Sequence, residues 1–403
     1  MKAQALWFWE TDIMSFMEMD KAFVANTYNR FPVEIVSGKG SKCYDVNGKA
    51  YVDMGTGIGV TAFGYADDAW TAAVTEQLAK VQHTSNLYYT EPCARLAKLM
   101  CEKTGMKKVF FGNSGAEANE CAIKVARKYS AMKKGEDCYT IITLVNSFHG
   151  RTLTTLAATG QDVFHKSFLP LTPGFVHVPA NDLDALKKCV EENKVAGIMM
   201  EVIQGEGGVN ALDADYLMAA DKLCKELDIP FIIDEVQTGN GRTGKVYGYM
   251  NFKISPDIVS TAKGLGGGLP IGACMMNEKM ESVLGFGDHG STYGGNPVCC
   301  AGAISVMERL TDDFLASVKR RSGYIMSALY NAPGIEGVSG LGLMIGVKTT
   351  APAGAVVKAC MEKGVLFLTA KDKVRMLPAL NIPMEDLEFA IETLKAVAKE
   401  LAE

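Results

Sequence analysis

The sequence predicts an α/β protein in which a large domain with a mostly parallel central sheet precedes a smaller α+β domain. Short apolar runs alternate with helical patterns between residues 70 and 261, as in consecutive β-α-β units. The 403-residue chain is 48% hydrophobic and 22% charged, which is enough apolar material for a large core and more than one domain. After about residue 310 the pattern changes to a long helix, several short strands and a final helix.

The N-terminal segment, residues 1–55, is expected to pack with the smaller domain. Residues 42–46 and 49–54 predict two strands, and Asn47-Gly48 between them is a typical hairpin turn. The apolar run near the start of the chain is too short for the core of a signal peptide. Met14 is an alternative start of the native chain, and the sequence leaves open whether the residues before it belong to the protein.

Residues 56–310 are predicted to form the large domain. Apolar residues recur at helical spacing in three stretches, residues 70–81, 96–101 and 217–227. Between them lie short strand-like runs at residues 109–111, 138–145, 197–202, 229–233 and 257–261.

Residues 311–403 are predicted to form the smaller domain. Helices are expected at residues 314–330 and 384–401. The short strands between them are predicted at residues 343–347, 365–368 and 374–377.

Charge and cysteine content exclude several classes of protein. The net charge of −5 and a sequence pI near 5.7 disfavour nucleic acids and membrane surfaces as partners. Eleven cysteines without a CxxC pair favour free thiols and a cytoplasmic location. The five histidines lie far apart in the sequence, so no metal site is predicted. No GxxxxGK[ST] motif is present, which disfavours a nucleotide bound at a P-loop.

Lys263 and Asp234 carry the strongest chemical signal. Each follows a predicted apolar strand, and the C-terminal ends of parallel strands meet at the sheet edge where ligands bind. A buried lysine with a lowered pKa can form a Schiff base, and an aspartate can keep a ring nitrogen protonated. Together they predict a site for pyridoxal 5'-phosphate (PLP), although a lone aspartate also commonly ends a strand.

The turn around Ser114 is a candidate phosphate site. Ser114 is a plausible N-cap, and Glu117 three residues later completes a capping-box pattern. Free backbone N–H groups at Gly115 and Ala116 would then face an anion. An ordinary, well-capped β-α turn would have the same sequence.

Phe148, Arg151 and Glu206 also follow predicted strands. Phe148 could stack on a flat ring, and Arg151 could bind a carboxylate through two parallel hydrogen bonds. Glu206 places a carboxylate in a glycine-rich turn at the same sheet edge. A core aromatic, a surface arginine and a turn carboxylate explain the same residues without any ligand.

Ser291, Thr292 and Arg375 are weaker candidates. The two hydroxyls lie in a polar glycine loop and could bind a phosphate or a substrate, but a plain turn is equally consistent. Arg375 lies on an otherwise apolar strand of the smaller domain, and it could simply face solvent.

Taken together, the order and spacing of these segments resemble the class III (subgroup II) PLP-dependent aminotransferases. The resemblance extends over residues 45–378 and implies the fold type I of PLP-dependent transferases. It rests on the segments SGAEAN, FHGR, EVIQGEGGV, IIDEVQTGNGRTG, TAKGLGGGLPIGA, HGSTYGGNP and RMLP.

The resemblance implies cofactor roles for several residues. Lys263 would hold PLP as a Schiff base and later move a proton, while Asp234 would keep the pyridine nitrogen protonated. Phe148 and Val236 would enclose the ring, and Gln237 would bond its 3'-oxygen.

The resemblance also implies a phosphate site shared between two subunits. Gly115 and Ala116 would bind the phosphate through backbone N–H groups, although the family often has threonine where this chain has Ala116. Thr292 would come from the partner subunit, which implies a homodimer.

Substrate roles implied by the resemblance fall to four residues. Arg151 and Ser291 would hold a substrate carboxylate. Glu206 and Arg375 would form a switchable pair: Glu206 masks Arg375 when the ω-amino donor binds and moves aside when 2-oxoglutarate binds. The small residues of Gly57-Ile58-Gly59 would leave room for an N-acyl group.

The expected reaction moves the δ-amino group of N2-acetyl-L-ornithine to 2-oxoglutarate, a step of arginine biosynthesis. Ornithine, succinylornithine and 4-aminobutyrate remain alternative donors, and N-succinyldiaminopimelate, from the lysine pathway, is a further one. An aminomutase is disfavoured because two arginines suit a dicarboxylate acceptor. A non-catalytic PLP-binding protein is a weaker alternative because Lys263 and Asp234 are both present. A nucleotide-binding α/β protein would have only the Ser114 turn to support it.

Overall fold

The computed structural model describes residues 14–403, and the extension before Met14 lies outside the described residues. The helices are α1 (Phe16–Phe23), α2 (Thr56–Gly59), α3 (Asp68–Leu78), α4 (Glu91–Thr104), α5 (Gly115–Lys134), α6 (Leu153–Ala158), α7 (Leu183–Glu192), α8 (Ala214–Glu226), α9 (Pro297–Glu308), α10 (Asp312–Leu329), α11 (Ala353–Glu362) and α12 (Met384–Glu400).

The strands form three main sheets and one short hairpin. They are β1 (Ile35–Lys39), β2 (Lys42–Asp45), β3 (Ala50–Asp53), β4 (Lys108–Gly112), β5 (Thr140–Leu144), β6 (Phe175–Val178), β7 (Val195–Met200), β8 (Ile203–Gln204), β9 (Asn210–Ala211), β10 (Phe231–Asp234), β11 (Ile258–Thr261), β12 (Gly272–Met276), β13 (Ile335–Leu341), β14 (Met344–Thr349), β15 (Val365–Leu366), β16 (Leu368–Ala370) and β17 (Lys373–Met376).

The largest sheet has seven strands in the order β4-β12-β11-β10-β7-β5-β6. Every pair from β11 to β6 is parallel, and only β12 runs against its two neighbours. Strands β7 and β10 are buried along their whole length, which explains why they read as continuous apolar runs. The predicted mostly parallel central sheet is confirmed.

The N-terminal hairpin and the C-terminal part of the chain share a sheet. Strands β2 and β3 pair around the Asn47-Gly48 turn, and β3 pairs in parallel with β15, with Val52 opposite Val365. A separate antiparallel sheet of order β13-β14-β17-β16 carries Arg375 on its strand β17. The single strand predicted at residues 365–368 is two strands in different sheets, separated at Phe367. The boundaries near residues 55 and 310 stay a prediction.

Arg242 connects the loop that follows strand β10 of the large sheet to the C-terminal sheet. Its buried guanidinium donates through Nη1 to the carbonyl oxygens of Leu343 (3.3 Å) and Pro378 (2.5 Å), and burial lowers its pKa to about 9. At Gly342, whose φ is +61°, a Cβ would lie 2.4 Å from the Arg242 carbonyl oxygen. This close approach fixes the C-terminal sheet, and with it β17, against the loop that follows Asp234.

Within residues 14–403, no helix combines the length and the apolar character that crossing a membrane requires.

Candidate active site

Lys263 and Asp234 lie at the same edge of the central sheet. Strand β10 ends at Asp234, which is in register with Ser260 of the parallel strand β11, and Lys263 follows β11 directly. Lys263 adopts a left-handed backbone conformation with φ of +44°, which is uncommon for a residue with a side chain. Both residues line one cavity of about 470 Å³, a size suited to a small-molecule ligand.

The Asp234 carboxylate is held by three hydrogen-bond donors. Its Oδ2 accepts from Asn119 Nδ2 at 2.8 Å and lies 2.8 Å from His149 Nδ1, while its Oδ1 accepts from the Val236 backbone N–H at 2.9 Å. Donors on both oxygens hold the carboxylate in a fixed orientation. Such a group can accept one more hydrogen bond from a protonated ring nitrogen in the cavity.

Asn119 and His149 are site residues for which the sequence provided no role. Both are buried and line the cavity, and Asn119 also donates to the His149 carbonyl oxygen at 2.7 Å. Asn119 lies on a buried stretch of α5. A polar residue among small apolar neighbours was the sequence feature that could have indicated a functional role. The two residues orient Asp234 within the wall of the cavity.

The Lys263 amine is partly shielded from solvent. Burial lowers its pKa below the ordinary value, and the positive charge of Arg375 acts in the same direction, although Glu206, Asp234 and Glu201 oppose it. A lowered pKa leaves a larger uncharged fraction of the amine near neutral pH, and only the uncharged amine is a nucleophile.

Phe148, Val236 and the start of α5 form further walls of the cavity. Ser114 caps α5 by accepting from the Glu117 N–H at 3.2 Å, while the Glu117 carboxylate reaches back to the Asn113 N–H at 2.9 Å. The predicted cap at Ser114 is present. The Glu117 carboxylate, however, accepts from the backbone N–H of Asn113 in place of that of Ser114. A Cβ at Gly115 would lie 2.6 Å from Val236 Cγ1, so only glycine allows this close approach.

Glu206 and Arg375 form an ion pair beside the cavity. Arg375 Nη1 lies 2.6 Å from Glu206 Oε1, and Gln237, which lines the cavity, contacts both at 3.3 Å. Burial raises the pKa of Glu206, but the charge and hydrogen bond of Arg375 outweigh it and hold the pKa below its ordinary range. The Nε atom of Arg375 is buried without a hydrogen-bond partner within residues 14–403.

Arg151 lines the same cavity in a different environment. Its guanidinium carbon lies 4.0 Å from the centroid of the Phe164 ring and 5.4 Å from that of Phe148. No side chain or backbone group of residues 14–403 forms a hydrogen bond or an ion pair with this guanidinium. Its N–H groups are therefore available to a ligand carboxylate.

Glu201 is a second buried carboxylate of the cavity wall, and sequence reasoning assigned it no role. It accepts from the backbone N–H groups of Phe148 (3.1 Å) and Gly205 (3.3 Å), so it ties the loop with the aromatic wall to the turn with Glu206. Burial, followed by the charge of Asp234, raises its pKa well above the ordinary value.

Ser291 and Thr292 do not line this cavity. They lie in a neighbouring cleft with His83 and Tyr89, and the Ser291 hydroxyl accepts from Asn113 Nδ2 at 3.0 Å. Because Asn113 lines the first cavity and Ser291, its hydrogen-bond partner, lines the second, the two cavities are adjacent.

A nucleophilic lysine and a fixed aspartate, at the ends of neighbouring parallel strands beside a helix N-terminus, define the class of PLP-dependent enzymes. The Aminotransferase class-III family profile matches residues 23–398. The chain therefore belongs to the class III aminotransferases, and it is a PLP-dependent transaminase.

Individual relatives support this membership. The chain is 52% identical over 386 residues to an acetylornithine aminotransferase of Haemophilus ducreyi, an alignment that covers 95% of this chain and 98% of that one. It is 44% identical to the Aquifex aeolicus acetylornithine aminotransferase, covering 93% and 99%. Among solved structures, the Toxoplasma gondii ornithine aminotransferase is similar with a TM-score of 0.91 at 31% identity, covering 96% and 94%. The Stenotrophomonas maltophilia N-acetylornithine aminotransferase has a TM-score of 0.82 at 32% identity, covering 94% and 98%.

Proposed function

We propose that the enzyme transfers the δ-amino group of N2-acetyl-L-ornithine to 2-oxoglutarate, giving N-acetyl-L-glutamate 5-semialdehyde and L-glutamate in arginine biosynthesis. The observation that carries this proposal is the pair of unlike arginines beside Lys263, one masked by Glu206 and one without an acid partner. The names of the Haemophilus and Aquifex relatives support the same donor.

The residues present fit the PLP of this family. Phe148 and Val236 offer two walls for a flat ring, Asp234 has an orientation suited to a ring N–H, and the first turn of α5 offers backbone N–H groups to a phosphate. The absence of a side chain at Gly115 keeps this cradle open. Bound PLP supplies an electron sink for the negative charge that develops on a substrate carbon.

Lys263 then has two tasks in the proposed mechanism. Its Nζ would hold the cofactor through the aldehyde carbon, for which a lowered pKa is an advantage. With a substrate bound, the same Nζ would move the proton of the amino-bearing carbon of the substrate. Asp234 stabilises the proton on the ring nitrogen throughout, and Gln237 would bond the cofactor's 3'-oxygen.

The two arginines distinguish the two substrates. In the donor step, Glu206 neutralises Arg375, and Arg151 binds the distant α-carboxylate of the acylated ornithine. In the acceptor step, Glu206 moves away, Arg375 binds the α-carboxylate of 2-oxoglutarate and Arg151 binds its γ-carboxylate. One site can thereby accept an ω-amine and an α-keto acid.

Space for the acyl group is attributed to the turn that contains α2. Gly57, Ile58 and Gly59 have φ values of +63°, +66° and +76°, and the following Val60 lines the cavity. A positive φ is strained for a β-branched residue such as Ile58, and strained backbone is often found at functional sites. The absence of a large side chain at Gly57 and Gly59 supports an acylated donor over free ornithine.

The experiment is the absorption spectrum of the holoenzyme before and after addition of N2-acetyl-L-ornithine without an acceptor. We expect the visible band of the lysine-bound cofactor to be replaced by the near-ultraviolet band of its aminated form. Ornithine, N2-succinylornithine and 4-aminobutyrate serve as competing donors in the same assay. Faster conversion by one of them would show that this compound, and not N2-acetyl-L-ornithine, is the preferred donor.

Two variants make the spectral result specific to the site. Lys263→Ala should lose the lysine-bound band and turn over at least about 1,000-fold more slowly, because both the attachment point and the proton carrier are gone. Lys253→Ala removes an exposed lysine and should behave like the unmodified enzyme. Normal turnover by Lys263→Ala would contradict the central assignment.

We also propose that the enzyme is a homodimer in which Thr292 binds the phosphate held by the partner subunit. Thr292 lies outside the cavity of its own chain, and several large apolar side chains nearby are exposed. They are Leu87, Tyr88, Tyr89, Phe286 and Tyr293. Several large exposed apolar side chains near one loop are typical of an interface. A cytoplasmic location, which cell fractionation would test, is supported by eleven free thiols.

Subunit mixing tests this sharing. Lys263→Ala and Thr292→Glu should each be inactive alone, since the second places a carboxylate against the phosphate. Refolded or exchanged mixtures should regain about a quarter of the activity, because each mixed dimer contains one intact site. If each site used its own Thr292, both sites of a mixed dimer would be defective and no activity would return. A monomeric mass by sedimentation would also contradict the proposal.

A further inference from the structure

We infer that Phe164 is a positioning residue that holds Arg151 ready for the carboxylate of either substrate. The inference deepens the proposed function and rests on it, because Arg151 is the group through which Phe164 acts. Phe164 belongs to the one-turn segment Asp162–Phe164 and does not line the cavity, whereas Arg151 does.

The contact between the two side chains has the geometry of a cation–π interaction. The Arg151 guanidinium carbon lies 4.0 Å from the Phe164 ring centroid, well within the roughly 6 Å range of such contacts. Phe164 in turn meets Phe148 edge to face, with centroids 6.0 Å apart and planes inclined by 81°. Arg151 therefore rests on a pair of rings, one of which also forms the wall of the cofactor cavity.

An aromatic partner holds a guanidinium without using its hydrogen bonds. The ring attracts the positive charge and accepts none of the five N–H donors in a conventional hydrogen bond. An acidic partner would occupy the same donors that a substrate carboxylate needs, as Glu206 does for Arg375. Phe164 can thus limit the motion of Arg151 and leave its carboxylate-binding edge unused.

Phe164 stands on a segment that is firmly attached to the loop carrying Arg151. Gln161 Nε2 donates to the Ser147 carbonyl oxygen at 3.0 Å, and the Gly160 N–H donates to Ser147 Oγ at 3.1 Å. His165 Nε2 lies 2.8 Å from the Thr159 carbonyl oxygen, at the C-terminal end of α6. These contacts fix the ring relative to the arginine, which a positioning role requires.

The expected effect is on substrate binding and not on the chemical step. Phe164→Leu keeps an apolar side chain but removes the ring, so it should weaken binding of carboxylate ligands by about two- to five-fold, the range for a partly exposed cation–π contact. The KM values for the amino donor and for 2-oxoglutarate should rise together, because Arg151 serves both. The kcat should change little, since no group at Lys263 is altered.

Phe164→Tyr and Phe168→Leu are the matched variants. The first keeps a ring of the same size and should restore both KM values and the dissociation constant of glutarate, measured by calorimetry on the holoenzyme. The second makes the same chemical change at an exposed phenylalanine four residues away and should leave all of them unchanged. Equal losses for Phe164→Leu and Phe164→Tyr, or a fall in kcat alone, would overturn the inference and indicate a purely structural role.

A double-mutant cycle separates this inference from the proposed function. Arg151→Ala should weaken glutarate and both substrates, and adding Phe164→Leu to it should cause no further loss. If the two losses simply add, Phe164 does not act through Arg151, and the inference fails while the proposed function stands. If Arg151→Ala has no effect, the carboxylate role of Arg151 fails, and the inference fails with it.

Discussion

Two arginines of the site, Arg375 and Arg151, differ in almost every physical respect. The Arg375 side chain is 4% exposed and its charge is neutralised by Glu206 at 2.6 Å. Arg151 is exposed and contacts the faces of two aromatic rings. One arginine lies on a strand of the C-terminal sheet, and the other lies in a loop after a strand of the central sheet.

Under the proposed function, this difference explains how one site can bind two unlike substrates. A buried arginine with an acid partner can bind a ligand only after the acid moves, so its availability depends on which substrate is present. An arginine held by rings is available at all times. The buried Nε of Arg375 without a partner supports a guanidinium whose bonding is completed only in another state. A shared binding group and a conditional one are what a two-substrate reaction through one site needs.

The largest expected effect comes from removing the conditional arginine. Arg375→Ala should lower kcat/KM for 2-oxoglutarate by roughly 100-fold, because the α-carboxylate loses its partner and Glu206 is left nearly buried without one. The donor half-reaction, in which Arg375 is masked, should fall by less than about ten-fold. The two half-reactions can be followed separately by single-turnover absorbance.

Arg320→Ala is the control for this comparison, because Arg320 is an exposed arginine of helix α10, far from the cavity in sequence and outside its lining. It should leave both half-reactions unchanged. Equal losses in the two half-reactions of Arg375→Ala would mean that Arg375 contributes in the same way to both substrates. The distinction between a shared and a conditional arginine would then be wrong.

Local sequence patterns predicted the parts of the molecule that depend on short-range order. The apolar runs before Asp234 and Lys263 became buried neighbouring strands, since such runs bury both faces of a parallel sheet. Strand β12 was not predicted, because Gly272-Ala273 has little strand propensity and its place is set by pairing with β4 and β11. Phe367 separates strands β15 and β16 for the same reason, since the partners of both strands are distant in the chain.

Sequence patterns were limited in the same way at the candidate site. Its motifs indicated which residues could meet a cofactor, but not the contacts that orient them. Asn119 and His149 reach Asp234 across 115 and 85 residues of sequence, and no spacing rule connects them. Phe164 carried no prediction from the sequence, and only the fold places its ring against Arg151. Groups that act through another side chain are difficult to recognise from sequence because their own type carries no chemical signature.

A smaller and opposite effect should follow from removing the Glu206 carboxylate that pairs with Arg375. Glu206→Ala leaves Arg375 unpaired and permanently available to an α-carboxylate, so kcat/KM for L-glutamate as amino donor should rise by about ten-fold. The value for N2-acetyl-L-ornithine should fall, because an exposed positive charge beside the ω-amine is unfavourable. Initial rates with the two donors, each paired with the same acceptor, measure the change in preference. An unchanged preference would show that Glu206 does not control the availability of Arg375.

The Glu206→Gln variant and the pH dependence of donor preference provide two further tests of the Glu206–Arg375 ion pair. The amide keeps the size and a hydrogen-bond acceptor but loses the charge, so its donor preference should lie between those of the unmodified enzyme and Glu206→Ala. The pKa of Glu206 is held below its ordinary value, so the ion pair is complete above that range and is lost only as pH falls through the lowered pKa. The donor preference of the unmodified enzyme should therefore vary less than about two-fold between about pH 6 and about pH 9. A transition of preference within that interval would require a group other than Glu206 to mask Arg375, because Glu206 remains ionised throughout it.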